Sequence, residues 1–162
     1  MDSLSIMPIG VIRSPRNQPV DDFWGDMISE IHLAPGFGPE ALYGLSDFSH
    51  AEIIFVMNQV DPAKVERGAR HPREREDWPL VGIFAQRGKN RPNRLALSCC
   101  RIVAVGGTVL TVEGLDAIDG TPVADIKPHM REFAPRGAVR QAAWATELMQ
   151  DYYKLGSERP AK

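Results

Sequence analysis

The spacing of its turn-forming residues does most to limit what this chain can fold into. Apolar residues come in short β-branched runs, each closed by Gly, Pro, Asn or Asp. "SIMPIGVIRS" (Ser5 to Ser14) stops at Pro15, and "DMISEIHL" alternates Met27, Ser29, Ile31 and Leu33 against Ile28, Glu30 and His32. "AEIIFVMNQV" is dense and apolar, which fits a buried strand. "VGIFAQR" and "RLALSCCRIVAV" read as strands on either side of a basic turn. "VGGTVLTVEGL" turns at Gly106-Gly107 as a hairpin, and "VADIKPHM" follows the Asp119-Gly120 turn as a further strand. "GPEALYGL" suits a short helix, while "PRNQPVDDFWG" is a loop and "DPAKVERGARHPREREDWPL" a long loop or flap. Only "AVRQAAWATELMQDYYKL" predicts an amphipathic helix, with Val139, Ala142, Ala143, Met149 and Tyr153 at helical spacing. Six or seven strands with short turns and few helices predict an antiparallel sheet or barrel over residues 1–135, then a C-terminal helix and tail over 136–162.

Several classes of function drop out on composition. A net charge of −2 over 162 residues is not that of a polycation, so nucleic-acid contact has to come from local patches. One such patch stands out: Arg87, Lys89, Arg91, Arg94 and Arg101 surround one turn with no acid among them. Cys99 and Cys100 are neighbours, so their side chains leave a strand on opposite faces and cannot pair. No Cys-x-x-Cys or His-x-x-x-His spacing predicts a metal site among the scattered His32, His50, His71 and His129. No apolar run nears the roughly 20 residues of a membrane span, and the acidic start "MDSLSIMPIG" is unlike a signal peptide. The expected setting is a reducing cytoplasm.

Some motifs are decoys. "GFGPEA" (Gly36 to Ala41) matches a dinucleotide-binding fingerprint, but too few residues follow it for a crossover helix, and Pro39 removes an N–H where phosphate would sit. A plain turn is the reading. Ser98 lacks a Gly-x-Ser-x-Gly elbow, and His71 in "RHPRERED" reads as a solvated loop residue. The segment "GLDAIDGTPVADIKP" is more telling. Asp116 and Asp119 flank a tight turn, and Asp125 and Lys127 share one strand face. Such a turn offers carboxylates and backbone N–H groups together, for a ribose diol, an ammonium or a base edge. A hairpin turn with a surface ion pair fits the same residues.

Taken along its length, the sequence resembles the TsaA-like family, the TrmO tRNA methyltransferases. The likeness runs from "PIGVIRSP" (Pro8 to Pro15) through "GLSDFSHAEIIFVMNQ" (Gly44 to Gln59), "HPRERED" and "GIFAQR". It is densest in "RPN" (Arg91 to Asn93), "LSCCRIV" and "GLDAIDGTPVADIKP". The resemblance implies a mainly β fold: a small antiparallel β-barrel with a C-terminal helix, forming a homodimer. It implies S-adenosylmethionine as cofactor, tRNA as substrate, and methylation of N6 of threonylcarbamoyladenosine next to the anticodon. It implies neither metal nor membrane. The positions it assigns to the cofactor are Asn58, Gln59, Arg87, Leu97, Gly114, Leu115, Asp116, Ala117 and Ile118, with Arg16 to Gln18 as a loop that closes over it. Arg87 would take the cofactor carboxylate bidentately, and a basic rim would meet the RNA backbone. Asp119 and Lys127 are the motif candidates for orienting N6 or relaying its proton.

The chain departs from the family pattern in places. Where Arg-Pro-Asn-Pro-Ile-Gly is usual, this sequence has "RPNRLA", so Arg94 replaces a proline and Ala96 a glycine. Asn58 stands where histidine is common. A cation at Arg94 is expected to touch substrate at the mouth of the site, alongside Arg91, Arg73 and Arg75. Two other readings compete with the methyltransferase: a cofactor-binding sensor or interaction module without transfer activity, and a methyltransferase for another substrate.

Overall fold

The computed structural model describes residues 4–158. Met1 to Ser3 of the acidic start and residues 159–162 of the expected tail lie outside the described residues. The strands are β1 (Gly10–Arg13), β2 (Ile28–Leu33), β3 (His50–Val56), β4 (Ala69–Arg70), β5 (Val81–Gly82), β6 (Leu95–Gly106), β7 (Val109–Glu113) and β8 (Pro122–Pro128). Six of them close a barrel in the order β1-β2-β7-β6-β3-β8, and β4 pairs with β5 outside it. Every pairing is antiparallel. The mainly β barrel expected from the sequence is therefore present.

Period-two alternation decides what fills the barrel. Ala51, Ile53 and Phe55 of β3 point inward, as do Ile31 of β2, Ile12 of β1, Leu110 and Val112 of β7 and Val123 of β8. Leu42 and Leu45, from two 3-10 turns at Pro39–Leu42 and Leu45–Asp47, join this core. These turns stand where one short helix was expected. Closing the barrel leaves none of its six strands with a free edge, which removes a route to aggregation. Long β6 serves two neighbours: its first half pairs with β3 and its second with β7, with a register shift between Ile102 and Ala104. The β6–β7 hairpin turns at Gly107, whose φ of 57° suits a residue without Cβ.

Two expected elements are shorter than the sequence predicts. "VGIFAQR" pairs only at Val81–Gly82 and then bends into a 3-10 turn at Ile83–Ala85. Buried Gln86 holds that bend, its side-chain amide donating to the carbonyls of Arg70 and Val81 at 3.0 Å each. Ile83 is the buried apolar residue of this run, while Phe84 stays 80% exposed.

The C-terminal helix α1 covers only Ala143–Leu148, starting at Ala142 without a side-chain cap. Beyond it the backbone turns its carbonyls outward. Asp151, Tyr152 and Lys154 accept from the N–H groups of Phe23, Trp24 and Gly25 at 3.1, 2.8 and 3.3 Å. Past Leu148 the N–H groups of Gln150, Tyr152 and Lys154 turn back only three residues, to the carbonyls of Glu147, Met149 and Asp151, so the α-helical ladder gives way to turns.

Candidate functional site

One large groove of about 1300 Å³ opens beside the barrel. Its walls come from the loop around Pro19 to Trp24, the end of β3 with Met57 to Asp61, the stretch from Ile83 to Leu97, the turn at Asp116 to Ile118, and the C-terminal segment from Gln141 to Tyr153. A smaller hollow of about 260 Å³ lies elsewhere, by Pro39, Tyr43 and Val105, and holds no charged lining residue.

Each wall has a cause in the sequence. The loop after β1 is held by Arg16, which donates to the carbonyls of Asp22 and Phe23 and stacks on Trp24 at 3.9 Å. Arg73 of the flap meets Asp22 with two bonds, at 2.9 and 2.6 Å. Burial is the largest single effect and works against the Arg73 charge, but the bond to Asp22 together with the negative charges of Asp22 and Asp21 outweighs it and holds the guanidinium above its ordinary pKa. The flap is thus latched to the loop by a bidentate pair.

Asp116 is the most elaborated group in the groove. Ser98 Oγ donates to Oδ1, and the Tyr152 hydroxyl donates to Oδ2 at 2.5 Å. Burial pushes the Tyr152 phenol well above its ordinary pKa, and the negative charge of Asp116 adds to the effect. Burial and then Asp116 push the Tyr153 phenol up to about 12. Tyr152 is therefore a proton donor at neutral pH and Asp116 the acceptor. Each carboxylate oxygen keeps acceptor capacity for a further partner.

Seven of the nine residues assigned to the cofactor line this groove: Asn58, Gln59, Arg87, Leu97, Asp116, Ala117 and Ile118. Asn58 and Gln59 lie exposed just past β3. Arg87 donates to the carbonyl of Leu97, which orients an exposed guanidinium along the groove wall. Gly114 and Leu115 lie elsewhere. Leu115 is fully buried in the barrel core, and Gly114 donates its N–H to Met27 at 2.9 Å. Just past the end of β7 at Glu113, Leu115 still packs into the core while its neighbour Asp116 turns to the groove.

The two residues considered for proton transfer do not line it. Asp119 accepts from the N–H of Ser14 at 3.1 Å and faces Arg13 at 3.7 Å, so it ties the turn to the end of β1. Lys127 pairs with Asp125 at 2.5 Å on β8, opposite Glu52 of β3. Arg94 is not among the lining residues either. Its Nη1 donates to the carbonyl of Val60 at 3.2 Å, and its φ of 53° is one that proline cannot adopt.

The expected basic rim is thinner than the sequence implied. Arg75 pairs with Asp77 and stacks on Trp78 at 4.0 Å, and Arg101 pairs with Glu113. Arg87, Lys89 and Arg91 remain on the groove, joined by Lys64 and Arg70. His71 is half-buried, with Nδ1 2.7 Å from the Trp78 carbonyl oxygen, rather than solvated. Among the described residues, no group of three or more His, Cys, Asp or Glu gathers as metal ligands. No helix among them is long and apolar enough to cross a membrane.

Sequence reasoning missed Tyr152, Ser98 and the Arg73–Asp22 latch. No local signal marks them, because each contact joins segments far apart in the chain.

The chain matches known proteins over most of its length. Residues 13–134 match the family described as the tRNA-methyltransferase O N-terminal domain. A probable S-adenosyl-L-methionine-binding protein of Pyrococcus abyssi is 34% identical over 157 residues, covering 94% of this chain and 80% of that one. The tRNA (adenine(37)-N6)-methyltransferase of Escherichia coli is 34% identical over 140 residues, 80% of this chain and 59% of that one. The crystal structure of TrmO from Pseudomonas aeruginosa superposes with a TM-score of 0.69 at 28% identity, over 88% of this chain and 63% of that one. This chain thus spans under two thirds of the length of the E. coli and P. aeruginosa proteins.

Proposed function

We propose a function from one premise: the chain belongs to the tRNA-methyltransferase O N-terminal domain family. It binds S-adenosylmethionine in the groove beside the barrel and methylates N6 of an adenine next to the anticodon of tRNA. In its finest form the reading takes threonylcarbamoyladenosine of a threonine tRNA as substrate. The observation that carries it is Asp116 and Arg87, opposite charges lining one groove with Leu97, Ala117 and Ile118 beside them.

The donor set fits the cofactor. Its carboxylate suits Arg87, its ammonium or ribose diol suits Asp116, and its adenine suits an apolar wall with Asn58 and Gln59 at the edge. When bound, the cofactor supplies an electrophilic methyl group. The residues of the chain contribute positioning and exclusion of water, the larger part of the help such a displacement needs. The latched loop from Pro19 to Trp24 narrows the groove, and Asp116 is held by two hydroxyls before any ligand arrives. Asp119 and Lys127 lie off the lining, so we assign neither to the N6 proton. The carboxylates that do reach the groove are Asp21, Asp61, Glu74 and Asp116.

The same reading treats residues 1–135 as the barrel unit and 136–162 as a segment packed onto it. It places the protein in the cytoplasm as a homodimer. Leu97 and Val103 of β6, 41% and 44% exposed, support a partner surface there.

A second reading, a sensor that binds the cofactor without transfer, is favoured by one observation. Several cations expected at the mouth are already paired within the chain. Titration calorimetry with S-adenosylmethionine tests the shared part. Wild type should bind, and Arg87→Ala or Asp116→Ala should weaken binding at least tenfold, about the worth of one charged hydrogen bond. No binding by wild type would defeat both readings. Binding without any methylated nucleoside would leave the sensor.

A further inference from the structure

The family match ends at residue 134, but the groove does not. Trp144, Leu148, Met149, Tyr152 and Tyr153 lie beyond that point and still line it. The segment that carries them is pinned in several places. Its carbonyls accept from Phe23, Trp24 and Gly25. Both oxygens of Asp26 accept from the N–H of Gly156 at 3.1 Å, and Trp78 Nε1 donates to Glu147 at 2.8 Å. Gly25 is required for the fit, since a Cβ there would stand 2.0 Å from the Tyr153 carbonyl oxygen. A segment held this way is a fixed wall, not a mobile flap.

Among the described residues, Tyr152 is its one polar contact with the Asp116 carboxylate. An aspartate carboxylate otherwise rotates broadly about its last torsion. With Ser98 on one oxygen and Tyr152 on the other, the plane of the group is set before a ligand arrives. Such preorganisation lowers the ordering cost of binding.

We infer that Tyr152, outside the family segment, is a positioning residue of the cofactor site that acts through Asp116, and that the C-terminal segment is the wall which delivers it. The inference rests on the reading that S-adenosylmethionine occupies this groove. Tyr152→Phe keeps the ring and the backbone bonds of the segment and removes only the hydroxyl.

The test is calorimetric titration of S-adenosylmethionine into wild type, Tyr152→Phe, Asp116→Asn and the double variant, with urea unfolding of each protein. Tyr152→Phe should raise the dissociation constant several-fold, up to about tenfold, the cost of ordering one side chain on binding. The double variant should bind no worse than Asp116→Asn alone. Gly25→Ala, which displaces the segment without lining the groove, should weaken binding by a similar factor. A Tyr152→Phe protein that binds like wild type, even with a lowered unfolding midpoint, would make the hydroxyl merely structural and overturn the inference. So would a further tenfold loss on adding Tyr152→Phe to Asp116→Asn. If wild type itself does not bind, the cofactor reading fails first and this inference with it; if wild type binds and only the Tyr152 result fails, the cofactor reading stands.

Discussion

Asp22→Ala should loosen the loop that narrows the groove, and its size can be worked from the latch. Arg73 and Asp22 share two charged hydrogen bonds, at 2.9 and 2.6 Å, with side chains only 26% and 22% exposed. A hydrogen bond to a charged group contributes about 1.5–3 kcal/mol, and two in one pair do not add fully. Removing Asp22 also leaves Arg73 half-buried with only Asp21, 3.9 Å away, as an acidic neighbour. That residual partner trims the penalty for an unpaired charge. The expected loss is about 2 kcal/mol, and with a urea slope near 2 kcal/mol per molar this lowers the midpoint by about 1 M. Arg73→Lys, which cannot form the fork, should lose about half as much. Urea unfolding at fixed pH measures both. A change under about 0.5 kcal/mol would put the pair with ordinary surface ion pairs and refute the latch. Because Asp21 and Trp24 line the groove, Asp22→Ala should weaken cofactor binding as well.

Other predictions concern thiols, turns and cations. Cys99 is exposed and Cys100 buried, so iodoacetamide should modify Cys99 in the folded protein and Cys100 only on unfolding, as mass spectrometry of time points would show. Burial pushes the Cys100 thiol and the Tyr152 phenol above their ordinary values of 9.0 and 10.0, so the unfolded chain ionises first. Their stabilising effect is complete below those values and is lost as pH rises through the folded ones; the urea midpoint should fall above about pH 9. A flat profile to pH 11 would contradict the burial. Arg94→Pro should destabilise by about 2 kcal/mol or more, since proline cannot reach a φ of 53°, while Arg94→Ala should leave the salt dependence of RNA binding unchanged. Exposed Lys89 should behave oppositely, Lys89→Ala reducing the salt slope by roughly 0.7 unit as one lost phosphate contact on single-stranded RNA.

The barrel was legible because its strands announce themselves locally. "AEIIFVMNQV" and "RLALSCCRIVAV" are dense apolar runs without Gly or Pro, and Gly106-Gly107 and Asp119-Gly120 fix turns through backbone conformation alone. The Asp116 turn was legible for the same reason. What failed depends on distant partners. "VGIFAQR" has the composition of a strand, yet Gln86 bends it by bonding Arg70 and Val81. Residues from Ala138 to Leu155 have helical spacing, but only Ala143–Leu148 is helical, and the segment past it is laid out as turns whose carbonyls accept from Phe23, Trp24 and Gly25. The tally of cations around the mouth misled because charge in sequence does not reveal pairing. Arg73, Arg75 and Arg101 each found an acid, at separations of 51, 2 and 12 residues. Asp119 and Lys127 belong to the most recognisable motif, but alternation and a strand partner turn both away from the groove.

The central claim is that this groove transfers a methyl group to tRNA, and one measurement addresses it most directly. Purified protein is incubated with S-adenosylmethionine carrying a trideuterated methyl and with tRNA from cells lacking the endogenous activity, and the digested nucleosides are analysed by mass spectrometry. The account predicts label on N6 of the adenosine next to the anticodon, in wild type and in Lys127→Ala at comparable rate, and its loss in Asp116→Ala. Unlabelled tRNA with a protein that binds the cofactor, or labelling that survives Asp116→Ala and disappears in Lys127→Ala, would contradict it.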